Sequence, residues 1–354
     1  MRGLARALLF VLLATSAFVT WRAGLAVARD PALRPMVEAS ADQIVAATDR
    51  MMAAEATPDR MATLIRARLA ENPRNWVALD ALQEVVTERG MLLPTDLITS
   101  LAAAKAEDDS LTAQLGGCAA CAWDIARCSL SQAFVCKAPI LLTPVEDLRG
   151  IVKAGVDYST GAEVDQLDLG LSVLGLSATA LVIVSGGASG SIKAGTALVR
   201  LARGMDLLSP RLTGRLVDAL RLGIDWAALP AVRSGDDMAR LIRSDVVAPV
   251  ASIAADLGRT SDAVGPARAL HLLPLIDDAA EARGIARAAD ALGPRIVGRA
   301  EVLGKARLLR ATLRAGSVAT ELVAGLVGLF TSLGMAASGI LQSVLSRGLR
   351  RLVR

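Results

Sequence analysis

Three apolar runs without a single charged residue constrain this chain more than any other feature. They cover residues 7–21, 169–192 and 322–346 and contain 15, 24 and 25 residues. The whole chain is 53% hydrophobic without its 30 glycines, whereas soluble domains are typically about 45–50% apolar with glycine included. We therefore expect some of these runs to contact lipid. As helices, the two longer runs are long enough to cross a hydrocarbon core of about 30 Å.

The first run predicts export. Arg2 and Arg6 precede it, and a basic segment followed by 7–15 apolar residues is typical of a secretory signal. The small residues at 26–28 suit a cleavage site, whereas Trp21 suits the lipid–water boundary of an uncleaved anchor. Residues 1–28 are thus predicted to be a signal peptide or an uncleaved signal anchor in a bacterial inner membrane, with the following residues exported.

The second run, within 168–192, is rich in glycine and serine and has two interpretations. It is a membrane span, or it is a buried hairpin that turns at 185–187, in which case the tail is the remaining span. Acids precede it and bases follow it. By the positive-inside rule, a span here would run from outside to cytoplasm, and the basic helical region 193–321 would be cytoplasmic. The flanking charges are Glu163, Asp165, Asp168, Lys193, Arg200 and Arg203.

The third run, 322–346, is predicted to be a C-terminal membrane segment followed by a basic tail at 347–354. If the second run spans, this segment is re-entrant or lies in the membrane interface with its arginines at the cytoplasmic surface; otherwise it spans. Small residues recur along it in steps of three or four, which gives a helix one face suited to close packing in lipid. These membrane-helix packing candidates are Gly328, Ser332, Ala336, Gly339 and Ser343.

Residues 29–167 are predicted to be an exported, acidic, all-helical domain. They hold 13 Lys and Arg against 20 Asp and Glu, a balance of −7. Proline follows a capping side chain at Thr57, Asn72 and Thr143, which is typical of helix starts. Residues 63–90 resemble a single tetratricopeptide-type helix pair on the sequence Asn-Pro-Arg-Asn-Trp at 72–76, and one such pair implies no binding function by itself.

Residues 190–314 are basic, with 19 Lys and Arg against 13 Asp and Glu, a balance of +6. The arginines alternate with aspartate and alanine at helical spacing, and Trp226 is the one aromatic residue among them. This pattern favours a solvated helical face over a nucleic-acid surface, which needs clustered bases.

All four cysteines fall within 19 residues of the exported domain, which predicts two disulfides. A redox pair and a zinc site are the alternatives. Three disulfide connectivities remain open. Two helical turns, about 10 Å, separate Cys121 from Cys128, so these two pair only if the helix breaks between them. The disulfide candidates are Cys118, Cys121, Cys128 and Cys136.

No residue stands out as catalytic, cofactor-binding or metal-binding. Residues 181–190 resemble the first strand and glycine turn of short-chain dehydrogenases, but Ile192 replaces the last glycine and would block the approach to a pyrophosphate. The one histidine, His271, is interpreted as a hydrogen-bonded, partly buried residue. The acids at 277, 278 and 281 are interpreted as the cap of a helix.

Together these features predict a mainly α, membrane-anchored helical protein with an exported helical domain and two further apolar membrane-segment candidates. Its predicted function is a non-enzymatic interaction or scaffold component of the envelope. The alternative is a membrane-perturbing, pore-forming-like protein that inserts helical hairpins, and an enzyme is the least favoured class. The expected partners are the lipid bilayer and other envelope proteins or a second copy, with no nucleic acid and no cofactor.

Overall fold

The computed structural model describes residues 34–136, 144–161, 164–185, 190–231, 237 and 240–312. Within these ranges the chain forms fourteen α-helices, a few short 3₁₀ turns and no strand. The mainly α prediction is therefore confirmed. The helices are α1 (Arg34–Glu55), α2 (Pro58–Leu69), α3 (Trp76–Glu88), α4 (Thr95–Asp108), α5 (Leu111–Trp123), α6 (Leu130–Cys136), α7 (Pro144–Thr160), α8 (Gln166–Ser185), α9 (Gly190–Gly204), α10 (Pro210–Gly223), α11 (Ser244–Val264), α12 (Pro266–Leu272), α13 (Ala279–Leu292) and α14 (Ile296–Leu303).

Membrane anchoring stays a prediction. Among the described helices, none combines the length and the apolar character that crossing a bilayer requires. The predicted signal at 1–28, the segment 322–346 and the tail 347–354 lie outside the described residues. So do the candidate packing residues Gly328, Ser332, Ala336, Gly339 and Ser343.

Helix starts follow local capping chemistry. The Thr57 hydroxyl caps α2 by accepting a bond from the Arg60 amide, and Pro58 opens the helix as predicted. The prediction for α3 is wrong by one turn, because its cap is Asn75 rather than Asn72. The Asn75 side chain accepts a hydrogen bond from the Ala78 amide at 3.1 Å, which satisfies a free donor of the first turn.

Residues 44–312 form one compact unit. One of its cores lies among α1–α4 and α14, where Met61, Ile65 and Leu82 are buried. Helix α14 lies near the C-terminal end of the unit's sequence, yet it packs on α3 in this core. The approach depends on Gly298, because a Cβ there would lie 2.9 Å from the carbonyl oxygen of Ala81.

A second core lies among α8–α13, with Leu216, Leu257 and Ile285 buried. Helices α9 and α11 cross backbone to backbone at its centre. A Cβ at Gly195 would overlap the carbonyl oxygen of Ala254, and a Cβ at Gly258 would overlap the carbonyl oxygen of Ser191. Each helix thus presents its glycine to the backbone of the other.

Two acids that precede the second apolar run are paired with two bases that follow it. Arg203 bonds Asp165 at 2.6 Å, and Arg200 lies 3.3 Å from Asp168. A single crossing of a membrane would place these acids and bases on opposite sides of it. Helices α8 and α9 instead pack antiparallel, within one unit that also holds α2, α3 and α14. This packing favours the buried hairpin over a single membrane span.

Candidate interaction surface

Helix α5 is an uncharged helix of 13 residues. The Ser110 hydroxyl caps it by accepting a bond from the Ala113 amide. The helix ends at Trp123 because Asp124 adopts an extended conformation and caps a 3₁₀ turn over Ile125–Arg127. Helix α6 follows and returns against α5.

Two disulfides staple this helix-loop-helix, in agreement with the prediction. Cys118 is bonded to Cys136 with a Cα–Cα distance of 5.8 Å, and Cys121 is bonded to Cys128 with a Cα–Cα distance of 4.5 Å. The second pair meets the geometric condition drawn from the sequence, because the helix does break between its two cysteines at Asp124.

The inner face of the stapled element fixes it to the unit. Cys121 and Cys128 are buried, as are Leu130 and Ala133 of α6, which packs against α3 and α12. Ile125 packs against Gly204 of α9, where a Cβ would lie 2.6 Å from its side chain. The disulfides therefore hold α5 against a buried support rather than at the end of a free loop.

The outer face of α5 is an exposed apolar stripe. Leu111, Leu115, Ala119 and Trp123 recur every four residues and so lie on one face of the helix. The exposed fractions are 76% for Leu111, 64% for Leu115 and 91% for Trp123. We call these four residues the α5 stripe. Contiguous exposed apolar surface on a folded protein commonly marks an interaction site.

His271 is partly buried and hydrogen-bonded, as its sequence context predicts. Asn75 uses its oxygen to cap α3, so its amide nitrogen faces Nδ1 of His271 at 3.0 Å. Nδ1 therefore accepts a bond, and Nε2 donates one to Glu301 at 2.8 Å. Both ring nitrogens thus join α3, α12 and α14, which is a structural role.

Glu301 is the centre of this buried network. Arg68 donates two hydrogen bonds to it, at 2.9 and 2.7 Å, and also bonds the more exposed Glu71. Burial alone would raise the pKa of Glu301, but the His271 hydrogen bond and the Arg68 charge outweigh burial and hold that pKa below its ordinary value. The carboxylate is therefore ionised and accepts three hydrogen bonds.

A second buried ion group joins the same helices. Arg299 of α14 is only 1% exposed, and its guanidinium forms two hydrogen bonds to Glu88 and one to Asp49. Its Nε is buried with no partner among the described atoms. Since Asp49 lies on α1 and Glu88 on α3, this arginine ties α14 to both helices.

The acids at the start of α13 act as predicted. Asp278 is the N-cap and accepts bonds from the Ala280 and Glu281 amides, each at 2.9 Å. Lys305 bonds both Asp277 and Glu281, which holds the pKa of Asp277 below its ordinary value. These carboxylates fix a helix start.

Comparison with known protein families, curated proteins and solved structures returns no match for this chain. Within the described ranges, His, Cys, Asp and Glu side chains form no group of three that could hold a metal ion. The cysteine pattern in the sequence indicates residues 118–136 but does not indicate the stripe beside them. Its signal was the four-residue spacing from Leu111 to Trp123 in an uncharged helix.

The two disulfides make a testable contribution to stability. Removing the bridge between Cys118 and Cys136 by alanine replacement should lower the free energy of unfolding by about 3 kcal/mol, and removing the other bridge by about 2 kcal/mol. The first effect is larger because its loop is longer, 18 residues against 7. Urea unfolding under non-reducing conditions measures both. A loss below about 1 kcal/mol in both variants would contradict the structural role of the bridges.

Proposed function

We propose that this chain is a non-enzymatic interaction or scaffold component of the bacterial envelope. It would be anchored in the inner membrane by the apolar segments at 7–21 and 322–346, which lie outside the described residues. Its compact helical unit would be exported. The supporting observation is the α5 stripe, an exposed apolar surface held in place by two disulfides. Disulfides persist in exported compartments, which fits this location.

The stapled geometry suits recognition because the contact surface is formed before binding. A rigid helix face loses little conformational entropy when a partner docks on it, so more of the contact energy appears as affinity. Leucine and tryptophan side chains supply a large apolar contact area, and tryptophan is one of the residue types enriched at binding hot spots. The stripe therefore has both the chemistry and the order of a docking surface.

Site-specific photocrosslinking in membranes tests the proposal. A photoreactive amino acid at Leu115 should give a crosslinked product of discrete mass, whereas the same probe at Leu222 should not. Leu222 is a matched control because it is also an exposed leucine on a helix, α10, but lies outside the stripe. Equal crosslinking at both positions, or none at Leu115, would contradict the proposal.

Membrane perturbation is the second candidate, and the α8–α9 hairpin is the observation that favours it. The two helices are consecutive and pack on each other around a charge-free sequence at 169–192. If the hairpin inserts, the protein should release dye from liposomes, and the double change Gly186→Leu/Gly187→Leu should reduce release. Liposomes that stay intact at micromolar protein would exclude this candidate.

A further inference from the structure

The α5 stripe has a pattern of large and small residues that is complementary to itself. When two α5 helices pack antiparallel about a twofold axis near position 117, Leu115 of each copy faces Ala119 of the other. Leu111 then faces Trp123 of the other copy, so the central pairs join a large with a small side chain and the outer pairs join two large ones. Facing large with small side chains lets two helices interdigitate, and a twofold axis makes every such contact occur twice.

The centre of the stripe permits a close approach. Gly116 lies beside the axis, and a Cβ built there would meet nothing within 4 Å. The fold of one copy therefore does not explain a glycine in the middle of this helix, where it costs about 0.5–1 kcal/mol relative to alanine. Against a second helix, the missing side chain removes a steric barrier between the two backbones.

Charge does not oppose such a pair. Helix α5 carries no charged residue, so its pairing with another copy would bury no charge. An antiparallel arrangement also opposes the two helix dipoles. The dipoles thus favour the antiparallel direction.

We propose that the partner of the α5 stripe is a second copy of this chain, packed antiparallel through α5. This inference rests on the proposed function and names its partner. The stripe is about 18 Å long at 1.5 Å per residue, and one helix pair of this length buries less than the roughly 800 Å² per partner of a standard interface. Self-association is therefore weak and reversible, of the kind that concentration on a membrane would promote.

A residue swap tests this pairing in the full-length protein in detergent micelles. Leu115→Ala and Ala119→Leu should each weaken dimerisation by about tenfold, which corresponds to about 1.4 kcal/mol. The double variant should restore the affinity to within about threefold of the original, because positions 115 and 119 face each other across the axis. Leu222→Ala is the control and should leave dimerisation unchanged.

Mixed isotopes distinguish the second copy from any other partner. The photoreactive probe at Leu115, in an equal mixture of ¹⁴N and ¹⁵N protein, should give crosslinked peptides around Ala119 that contain both isotopes. A double variant as weak as the single variants, or crosslinks without mixed isotopes, would overturn the proposal. Crosslinks to a different protein in membranes would overturn self-pairing and leave the proposed function standing, whereas no crosslink at all would overturn both.

Discussion

Replacing Gly195 by alanine is expected to lower the free energy of unfolding by about 3 kcal/mol. The added methyl group would overlap the carbonyl oxygen of Ala254, so one of the two helix backbones must move away. Gly258→Ala should have a similar effect, because its methyl group would overlap the carbonyl oxygen of Ser191. Urea or thermal unfolding of the two variants measures the loss.

Gly214 of α10 is the matched control for this prediction. It is also a glycine inside a helix, but a Cβ there would meet nothing within 4 Å. Gly214→Ala should therefore raise the free energy of unfolding by about 0.5–1 kcal/mol, since alanine loses less backbone entropy on folding. Equal effects at Gly195 and Gly214 would contradict the close crossing of α9 and α11.

Glu301→Gln is expected to lower the free energy of unfolding by about 3 kcal/mol at neutral pH, because it removes the buried carboxylate that accepts two hydrogen bonds from Arg68 and one from His271. The control is Glu71→Gln, which removes the other carboxylate bound by Arg68. The side chain of Glu71 is 37% exposed and that of Glu301 is 7% exposed. The control should therefore cost less than about 1 kcal/mol.

The effect of Glu301→Gln should depend on pH. The pKa of Glu301 is lowered in the folded protein, so its stabilisation is complete above the unfolded-state pKa and is lost as pH falls through the folded-state pKa. The difference in unfolding free energy between the wild type and Glu301→Gln should shrink as the pH is lowered below about 4.5. A difference that stays constant from pH 7 to pH 3 would contradict a bonded carboxylate at this position.

Local patterns predicted much of this structure. The caps at Thr57 and Asp278, the helical class and the broken helix between Cys121 and Cys128 all follow from a few neighbouring residues. Capping depends on side chains within one turn, and the distance along a helix axis follows from its fixed rise. These properties need no knowledge of the rest of the chain.

Long-range packing was not predictable in the same way. Nothing near Arg68 indicates that its partner is Glu301, and nothing near Gly195 indicates that it meets Ala254. The flanking charges at Asp165 and Arg203 illustrate the problem, because the same residues suit a membrane topology or an ion pair. Which one occurs depends on whether α9 folds back on α8, and that is a tertiary property.

The α5 stripe was predictable in part, because its spacing is a local pattern but its exposure depends on long-range packing. The four-residue spacing from Leu111 to Trp123 is visible in the sequence and defines one helix face. Whether that face is buried or exposed depends on where the opposite face packs, which the disulfides and α6 decide. The sequence therefore predicts the two disulfides but not the exposed α5 stripe that they hold in place.

The return of α14 to α2 and α3 sets the order of events during biogenesis. Arg68 and Glu301 are 233 residues apart in the chain. At about 5–20 residues per second, a ribosome would need roughly 10–50 s to make the second partner after the first. During that interval the apolar face of α2 and α3 has no cover from α14. A chain of this design must be kept from aggregating until its C-terminal helices have been made. A truncated product that lacks α14 would stay a substrate for chaperones and proteases.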